Sequence, residues 1–138
     1  MSTYNADQLQ QLSAALDPKY ELSLPQAEQL LEFVGLLKRW NSVHNLTAIR
    51  DSDDIVRKHI LDSLSLQAFL GQGSVLDVGS GGGFPGIPLA IVRPQQAFTL
   101  VDSNQKKTAF LKEVKRKLSL TNVTVINGRV EQLGSDKG

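Results

Sequence analysis

A glycine-rich segment is the part of this sequence best suited to binding a ligand. It reads Asp77-Val-Gly-Ser-Gly-Gly-Gly-Phe-Pro-Gly86, contains both a DxGxGxG and a GxGxxG pattern, and lies between an apolar run and a helical pattern. Glycine permits positive φ and a close approach of the backbone to a ligand, and the N–H groups that open the next helix can meet an anion. We therefore expect Gly79, Gly81 and Gly83 to form a cofactor loop.

Two carboxylates flank this loop. Asp77 stands two residues before the first loop glycine, and Asp102 ends the next apolar run. A carboxylate at Asp102 can accept hydrogen bonds from both hydroxyls of a ribose, which nicotinamide dinucleotides and S-adenosylmethionine both carry. A carboxylate at Asp77 is more typical of methyltransferases, in which that end of the strand faces the methionine moiety. The pattern favours S-adenosylmethionine and leaves an NAD(P)-binding Rossmann oxidoreductase as the alternative.

The residues after the third apolar run extend the same site. In a parallel sheet of this kind, the end of the third strand lies beside the base of a bound adenosyl group. We expect Val130 to pack on the adenine and Glu131, or a backbone group, to read its edge. The alternative for Glu131 is a place in the first turn of a helix, where the helix dipole favours a carboxylate.

Basic side chains are concentrated in the segment that follows Asp102. Glu113 is the single acid among Lys106, Lys107, Lys112, Lys115, Arg116 and Lys117. Such a cluster suits a phosphate backbone, although the same charges also fit a solvated helix face above a buried apolar side. Both interpretations remain open from the sequence.

His59, Asp62 and Ser63 invite comparison with a hydrolase triad. They lie at i, i+3 and i+4 of one predicted helix, which makes them neighbours on its surface. A triad needs its base held between the nucleophile and an orienting acid, usually from separate segments, and the sequence has no nucleophile elbow. We expect a structural role for these residues where the helical segment meets the sheet, and contact with a substrate is the alternative.

The first part of the chain has helical periodicity. Leu9, Leu12 and Leu16 recur at i, i+3 and i+7, which predicts a first helix. Ser23, with Gln26 three residues later, forms a capping-box pattern and predicts the start of a second.

The second helix is predicted to bury one stripe and to end before residue 41. The stripe consists of Ala27, Leu30, Leu31, Val34, Leu37 and Trp40. Residues 41–50 are expected to form a connector. A third helix, capped by Asp51 or Ser52, is expected to run to about Phe69.

From residue 73 onward, short apolar runs alternate with helical patterns. Strands are predicted at 74–79, 97–101 and 123–126, and helices at 85–92 and 104–118. This alternation predicts an α/β fold with a parallel sheet. We divide the chain into an N-terminal helical cap, residues 1–72, and residues 73–138, which hold the first three strands, about half of a doubly wound sheet.

The composition narrows the class of protein. The chain has 138 residues, of which 41% are hydrophobic and 21% charged, a net charge of +1 and no cysteine. These values are typical of a globular domain and exclude disulfides and thiolate metal sites. We expect no metal, no membrane span, no secretory leader, a cytoplasmic location and a monomer.

Four segments together resemble the glucose-inhibited division protein B family. They are Trp40-Asn-Ser-Val-His-Asn-Leu-Thr-Ala-Ile-Arg50, His59-Ile-Leu-Asp-Ser-Leu64, Asp77-Val-Gly-Ser-Gly-Gly-Gly-Phe-Pro-Gly-Ile-Pro88 and Val101-Asp-Ser103. Members of this family methylate N7 of a guanine in 16S ribosomal RNA of the small subunit. The resemblance implies a Rossmann-like class I methyltransferase fold that uses S-adenosyl-L-methionine.

The resemblance also implies roles for individual residues. It assigns cofactor contacts to Gly79, Phe84, Asp102, Val130 and Glu131, and to Arg129 a catalytic role near the methyl group or the RNA. Guanine N7 has a free lone pair, so alignment and electrostatics suffice and no general base is needed.

The same resemblance predicts that the chain is truncated at its C-terminus, because such proteins continue through four further strands. A non-catalytic RNA-binding fragment is therefore an alternative to the enzyme.

Overall fold

Helices come first along the chain and a small parallel sheet follows. The computed structural model describes residues 5–16, 19, 22–44, 53–79 and 81–129. Its helical elements are α1 (Ala6–Leu16), α2 (Leu24–His44), α3 (Asp53–Ser65), a 3-10 helix (Leu66–Phe69), α4 (Gly86–Val92) and α5 (Gln105–Leu118). Its strands are β1 (Val75–Val78), β2 (Phe98–Asp102) and β3 (Val123–Asn127).

The three strands are parallel and lie in the order β1-β2-β3. Val78 pairs with Val101, and Asp102 pairs with Asn127, so the carboxyl ends of all three strands meet at one edge of the sheet. The α/β fold with a three-stranded parallel sheet and a preceding helical segment is thus confirmed. The edge that collects the strand ends is where ligands bind in sheets of this class.

Two reciprocal hydrogen-bond pairs begin the first two helices. The Ser23 N–H donates to Gln26 Oε1 at 3.0 Å, and the Gln26 N–H donates to Ser23 Oγ at 3.3 Å, which confirms the predicted capping box. Asn5 and Gln8 make the same exchange at 2.9 and 3.0 Å ahead of α1. Each pair satisfies N–H groups that a helix start would otherwise leave without partners.

Helix α2 is longer than predicted, and its buried face is wider. Residues 41–44, expected in a connector, continue the helix. Trp40 explains the extension, because its ring contacts Phe110 of α5 at a centroid distance of 5.7 Å and His44, one turn later, at 5.2 Å. Phe33 and Leu36 are also buried, whereas Leu31 and Trp40 are only partly buried. The predicted caps of α3 and the side chains of Leu12 and Leu16 lie outside the described residues.

One apolar core joins the helices to the sheet. Its largest fully buried side chains are Phe33 of α2, Phe98 of β2 and Phe110 of α5. Gln29 of α2 also donates through Nε2 to the carbonyl oxygen of Leu118 at 3.1 Å. Because residues on both sides of position 72 share this core, the packing of the helical segment is coupled to the position of the sheet.

The side-chain amides of Asn122 and Gln96 connect the loops at the amino ends of the strands. Asn122 Nδ2 lies 3.0, 3.2 and 3.0 Å from the carbonyl oxygens of Ala90, Arg93 and Gln96. Gln96 Nε2 donates in turn to the carbonyl oxygens of Gly71 and Gly73 at 2.9 and 2.6 Å. These bonds satisfy backbone acceptors that no strand or helix pairs.

None of the described helices is long and apolar enough to cross a membrane.

Candidate functional site

A cleft of about 410 Å³ opens at the edge where the three strands end. It is lined by Val78, Gly79, Val101, Asp102, Ser103, Gly128 and Arg129. Each strand thus contributes its last residues or the first residues of the loop that follows. The predicted convergence of the glycine loop, the end of β2 and the end of β3 is therefore present in the fold.

The Asp102 carboxylate connects the glycine loop to the start of α5. Its Oδ2 accepts a hydrogen bond from the Gly81 N–H at 3.1 Å, and its Oδ1 accepts one from the Asn104 N–H at 2.8 Å. A carboxylate has about four lone-pair positions, so each oxygen can still accept a hydrogen bond from a ligand hydroxyl. Asp102 is oriented by the backbone on both sides and is only half-buried beside the cleft.

Three loop glycines have backbone conformations that other residues rarely adopt. Their φ values are +73° at Gly79, +56° at Gly81 and +100° at Gly83. An added Cβ at Gly79 would meet nothing within 4 Å, so neighbouring side chains do not exclude a larger residue there. The positive φ excludes it, and a side chain would occupy space beside the cleft. The glycine at this position therefore leaves room for a ligand to approach the backbone closely.

Asp77 lies beneath the loop and is bonded to its far end. Its Oδ2 accepts a hydrogen bond from the Gly86 N–H, the first residue of α4, at 3.0 Å. An added Cβ at Gly86 would stand 2.6 Å from that oxygen and closer still to a methyl group of Leu100. The contact explains why the Phe-Pro-Gly sequence ends in glycine.

Phe84 is held by the helical segment. Its ring centroid lies 5.3 Å from that of Phe33 in α2 and 5.5 Å from that of His59 in α3. Phe33 also packs against Gly83, where an added Cβ would come within 3.1 Å of its ring. The glycine loop is thus supported from one side by aromatic rings of two helices.

The triad arrangement of His59, Asp62 and Ser63 is absent. The Ser63 hydroxyl donates to the backbone carbonyl of His59, one turn earlier, at 2.8 Å. The His59 ring faces Phe84 instead of a nucleophile. These contacts agree with the structural role expected at the junction between helices and sheet.

The basic segment forms the exposed side of α5, and some of its charges are engaged. The Arg116 guanidinium donates to both carboxylate oxygens of Glu113, at 3.0 and 2.8 Å. This hydrogen bond lowers the pKa of Glu113 and raises that of Arg116. Lys115 Nζ donates to the carbonyl oxygen of Val123.

The candidate site residues fall into three groups. Gly79, Asp102 and Arg129 line the cleft directly. A second group does not line the cleft but forms or supports the loop beside it: Gly81, which is bonded to Asp102, and Asp77, Gly83 and Phe84. Val130 and Glu131 lie outside the described residues, so their roles stay predictions.

Sequence reasoning missed part of the cleft. Ser103 and Gly128 line it, and Asn104 caps α5 by accepting the Lys107 N–H at 3.0 Å through its side chain. The signal for Asn104 was available, since asparagine before a helical pattern favours the N-cap position. Ser103 belongs to one of the segments that carry the family resemblance, whereas Gly128 carries no such signal. Within the described ranges, no three His, Asp or Glu side chains come together as a metal-binding group.

Comparisons with known proteins show which family this chain is similar to. Residues 26–137 match the family model described as rRNA small subunit methyltransferase G. Three relatives named Ribosomal RNA small subunit methyltransferase G are similar to the chain. That of Ectopseudomonas mendocina is 54% identical over 122 residues, which cover 87% of this chain and 57% of the relative. That of Pseudomonas entomophila is 54% identical over 115 residues, which cover 82% of this chain and 53% of the relative. That of Pseudomonas fluorescens is 56% identical over 106 residues, which cover 77% of this chain and 50% of the relative. The chain thus spans about half the length of these relatives.

Proposed function

The chain belongs to the rRNA small subunit methyltransferase G family, and on that basis we propose that it acts with S-adenosylmethionine in methylating 16S ribosomal RNA at N7 of a guanine. The target atom goes beyond the wording of the relatives' names and rests on the resemblance described for the sequence. A cytoplasmic location is part of the proposal, because it is where ribosomal RNA is modified in bacteria.

The observation that carries the proposal is the position of Asp102. Its carboxylate stands in the cleft beside Gly79, and the Gly81 and Asn104 N–H groups hold its two oxygens in place. A ribose diol needs such a fixed pair of acceptors. Because the carboxylate is oriented before any ligand arrives, binding requires little rearrangement of the chain.

The chain's own residues would hold and align the reactants. Asp102 would accept the ribose hydroxyls, and the open backbone at Gly79 would allow close approach of the cofactor. S-adenosylmethionine would supply a methyl group on a positively charged sulfur. Arg129, at the rim of the same cleft, would position an RNA phosphate or a base edge, and no residue would need to remove a proton from N7.

Calorimetric titration of the protein with S-adenosylmethionine and with NAD tests the cofactor. We expect heat of binding with S-adenosylmethionine and none with NAD. Binding of NAD alone would instead support the oxidoreductase alternative.

Transfer of a radioactive methyl group from S-adenosylmethionine to small-subunit ribosomal RNA tests the reaction. Cleavage chemistry specific for N7-methylguanine then identifies the modified atom. Cofactor binding with no transfer to RNA from this 138-residue chain would support the non-catalytic alternative for the chain itself.

A further inference from the structure

Positive charge is gathered where the second half of α2 meets α5. In α2 the acids Glu28 and Glu32 belong to the first half, whereas the cations Lys38 and Arg39 belong to the second. Helix α5 packs against α2 through Phe110, which contacts both Phe33 and Trp40. Arg39 of α2 and Lys117 of α5 are both exposed on the surface where these two helices meet.

A pocket of about 370 Å³ lies within this surface. Its walls include Arg39, Trp40, Val43 and His44 from α2, and Glu113 and Lys117 from α5. We call it the Trp40 pocket. None of these residues takes part in the cofactor cleft at the carboxyl ends of the strands.

The rings of Trp40 and His44 give the pocket an aromatic side. Their centroids are 5.2 Å apart, and the Trp40 ring is held from behind by Phe110. Val43 beside them is 75% exposed, which leaves apolar surface open to solvent at the rim. Trp40 lines the pocket and is only partly buried, and an aromatic ring at a pocket wall is suited to stacking a planar ligand.

The pocket keeps a positive character despite containing a carboxylate. Glu113 accepts both of its hydrogen bonds from Arg116, so an arginine already balances its charge. Arg39 and Lys117 are exposed and add two further cations to the walls. An anionic ligand with a flat apolar part matches this combination.

The Trp40 pocket is connected to the cofactor cleft along α5. Lys106 and Lys117 are separated by about three helical turns, so they lie on the same edge of the helix roughly 16 Å apart. Lys106 belongs to the first turn, which follows directly after Asp102 and Ser103 of the cleft. This edge of α5 therefore runs from the cleft to the pocket, with Lys106 at one end, Lys117 at the other and Glu113 between them.

We propose that this surface binds single-stranded RNA, with one base stacked in the Trp40 pocket and the neighbouring phosphates against Arg39 and Lys117. The proposal rests on the proposed function in taking RNA as the substrate. It goes beyond that function in placing the RNA that continues from the methylated guanine along α5. A single strand fits better than a duplex, because only unpaired bases expose the faces that stack on aromatic side chains.

Trp40 is the only tryptophan of the chain, so its fluorescence reports directly on the pocket. Titration with a short single-stranded RNA of mixed sequence should quench this fluorescence to a saturating level. The same RNA annealed to its complement should quench it far less. RNA binding without any quenching, or equal quenching by the duplex, would overturn the proposal.

Substitutions test the cations separately from the ring. Arg39→Gln and Lys117→Gln should each weaken binding of the single strand and reduce the slope of log affinity against log salt by about 0.7. Lys112→Gln is the matched control, since it removes the same charge from α5 about 140° around the helix from Lys117. If Lys112→Gln lowers affinity and slope as much as Lys117→Gln, the binding is unspecific and the proposal fails.

Trp40→Leu removes the stacking surface and keeps an apolar side chain against Phe110. Single-strand affinity should fall about tenfold, in line with the loss of one stacked base. Unchanged affinity in Trp40→Leu, with its helix content intact by circular dichroism, would overturn the stacking.

These measurements need no cofactor, so they separate this proposal from the proposed function. Quenching by single-stranded RNA in a chain that transfers no methyl group would support the RNA surface while the enzymatic proposal failed. If the chain transfers methyl groups but Arg39→Gln, Lys117→Gln and Trp40→Leu leave RNA affinity unchanged, the enzymatic proposal is supported and the RNA surface is not.

Discussion

The Asp77 carboxylate accepts a hydrogen bond from the Gly86 N–H at 3.0 Å and thereby joins the end of β1 to the first residue of α4. The glycine loop runs between these two residues. Asp102 makes a second connection from β2 to Gly81 within the loop. The loop is therefore held at its far end and near its middle by carboxylates from adjacent strands, which limits its freedom before a ligand binds.

Gly86→Ala should lower the free energy of unfolding by about 1–3 kcal/mol, because the added methyl group would overlap Asp77 Oδ2 and Leu100. Urea denaturation measures the change. Gly71→Ala is the control, since an added Cβ there meets nothing within 4 Å. A Gly86→Ala protein as stable as Gly71→Ala would contradict the close contact described for the end of the loop.

Asp102→Ala should weaken S-adenosylmethionine binding roughly 10- to 100-fold, since a hydrogen bond to a charged group contributes about 1.5–3 kcal/mol. RNA affinity should change little, because this carboxylate is assigned to the ribose. Calorimetry and a fluorescence-based RNA titration measure the two affinities. Asp62→Ala, which removes an exposed carboxylate of α3, serves as control. Equal loss of cofactor and RNA affinity would be evidence against the assignment.

Gly35→Ala should stabilise the protein by about 0.5–1 kcal/mol. Gly35 lies in the interior of α2, and an added Cβ there meets no atom within 4 Å. Alanine then improves helix propensity and restricts the unfolded chain without a steric cost. The midpoint of urea denaturation should rise with an unchanged slope. A destabilised variant would show that the turn of α2 around Gly35 has less space than the structure indicates.

Asn122→Ala should destabilise the protein by about 1–3 kcal/mol, since the carbonyl oxygens of Ala90, Arg93 and Gln96 would lose their common donor. Thr121→Ala, an exposed change one residue earlier, is the matched control. Thermal unfolding of the two variants compares them. Indistinguishable transitions would mean that water replaces the amide at no cost.

Local sequence patterns were sufficient to predict the helices and strands and much of the candidate site. The Ser23 and Gln26 pair marked the start of α2, and the alternation of apolar runs marked all three strands, because both signals depend on residues close in sequence. The family resemblance drawn from the motifs is confirmed by the match over residues 26–137. The predicted end of α2 was wrong, since Trp40 packs on a distant residue, Phe110, and His44, one turn later, packs on Trp40.

The sequence by itself determined that a glycine loop, a carboxylate at the end of a second strand and a basic helix would occur in this order in an α/β chain. Only the tertiary structure decided what each contacts. Asp77 could have faced the cleft but bonds to Gly86, Phe84 packs between Phe33 and His59, and Asp102 orients the loop from a neighbouring strand. These outcomes depend on which distant segments pack together, and the spacing of residues along one chain carries no direct record of that packing.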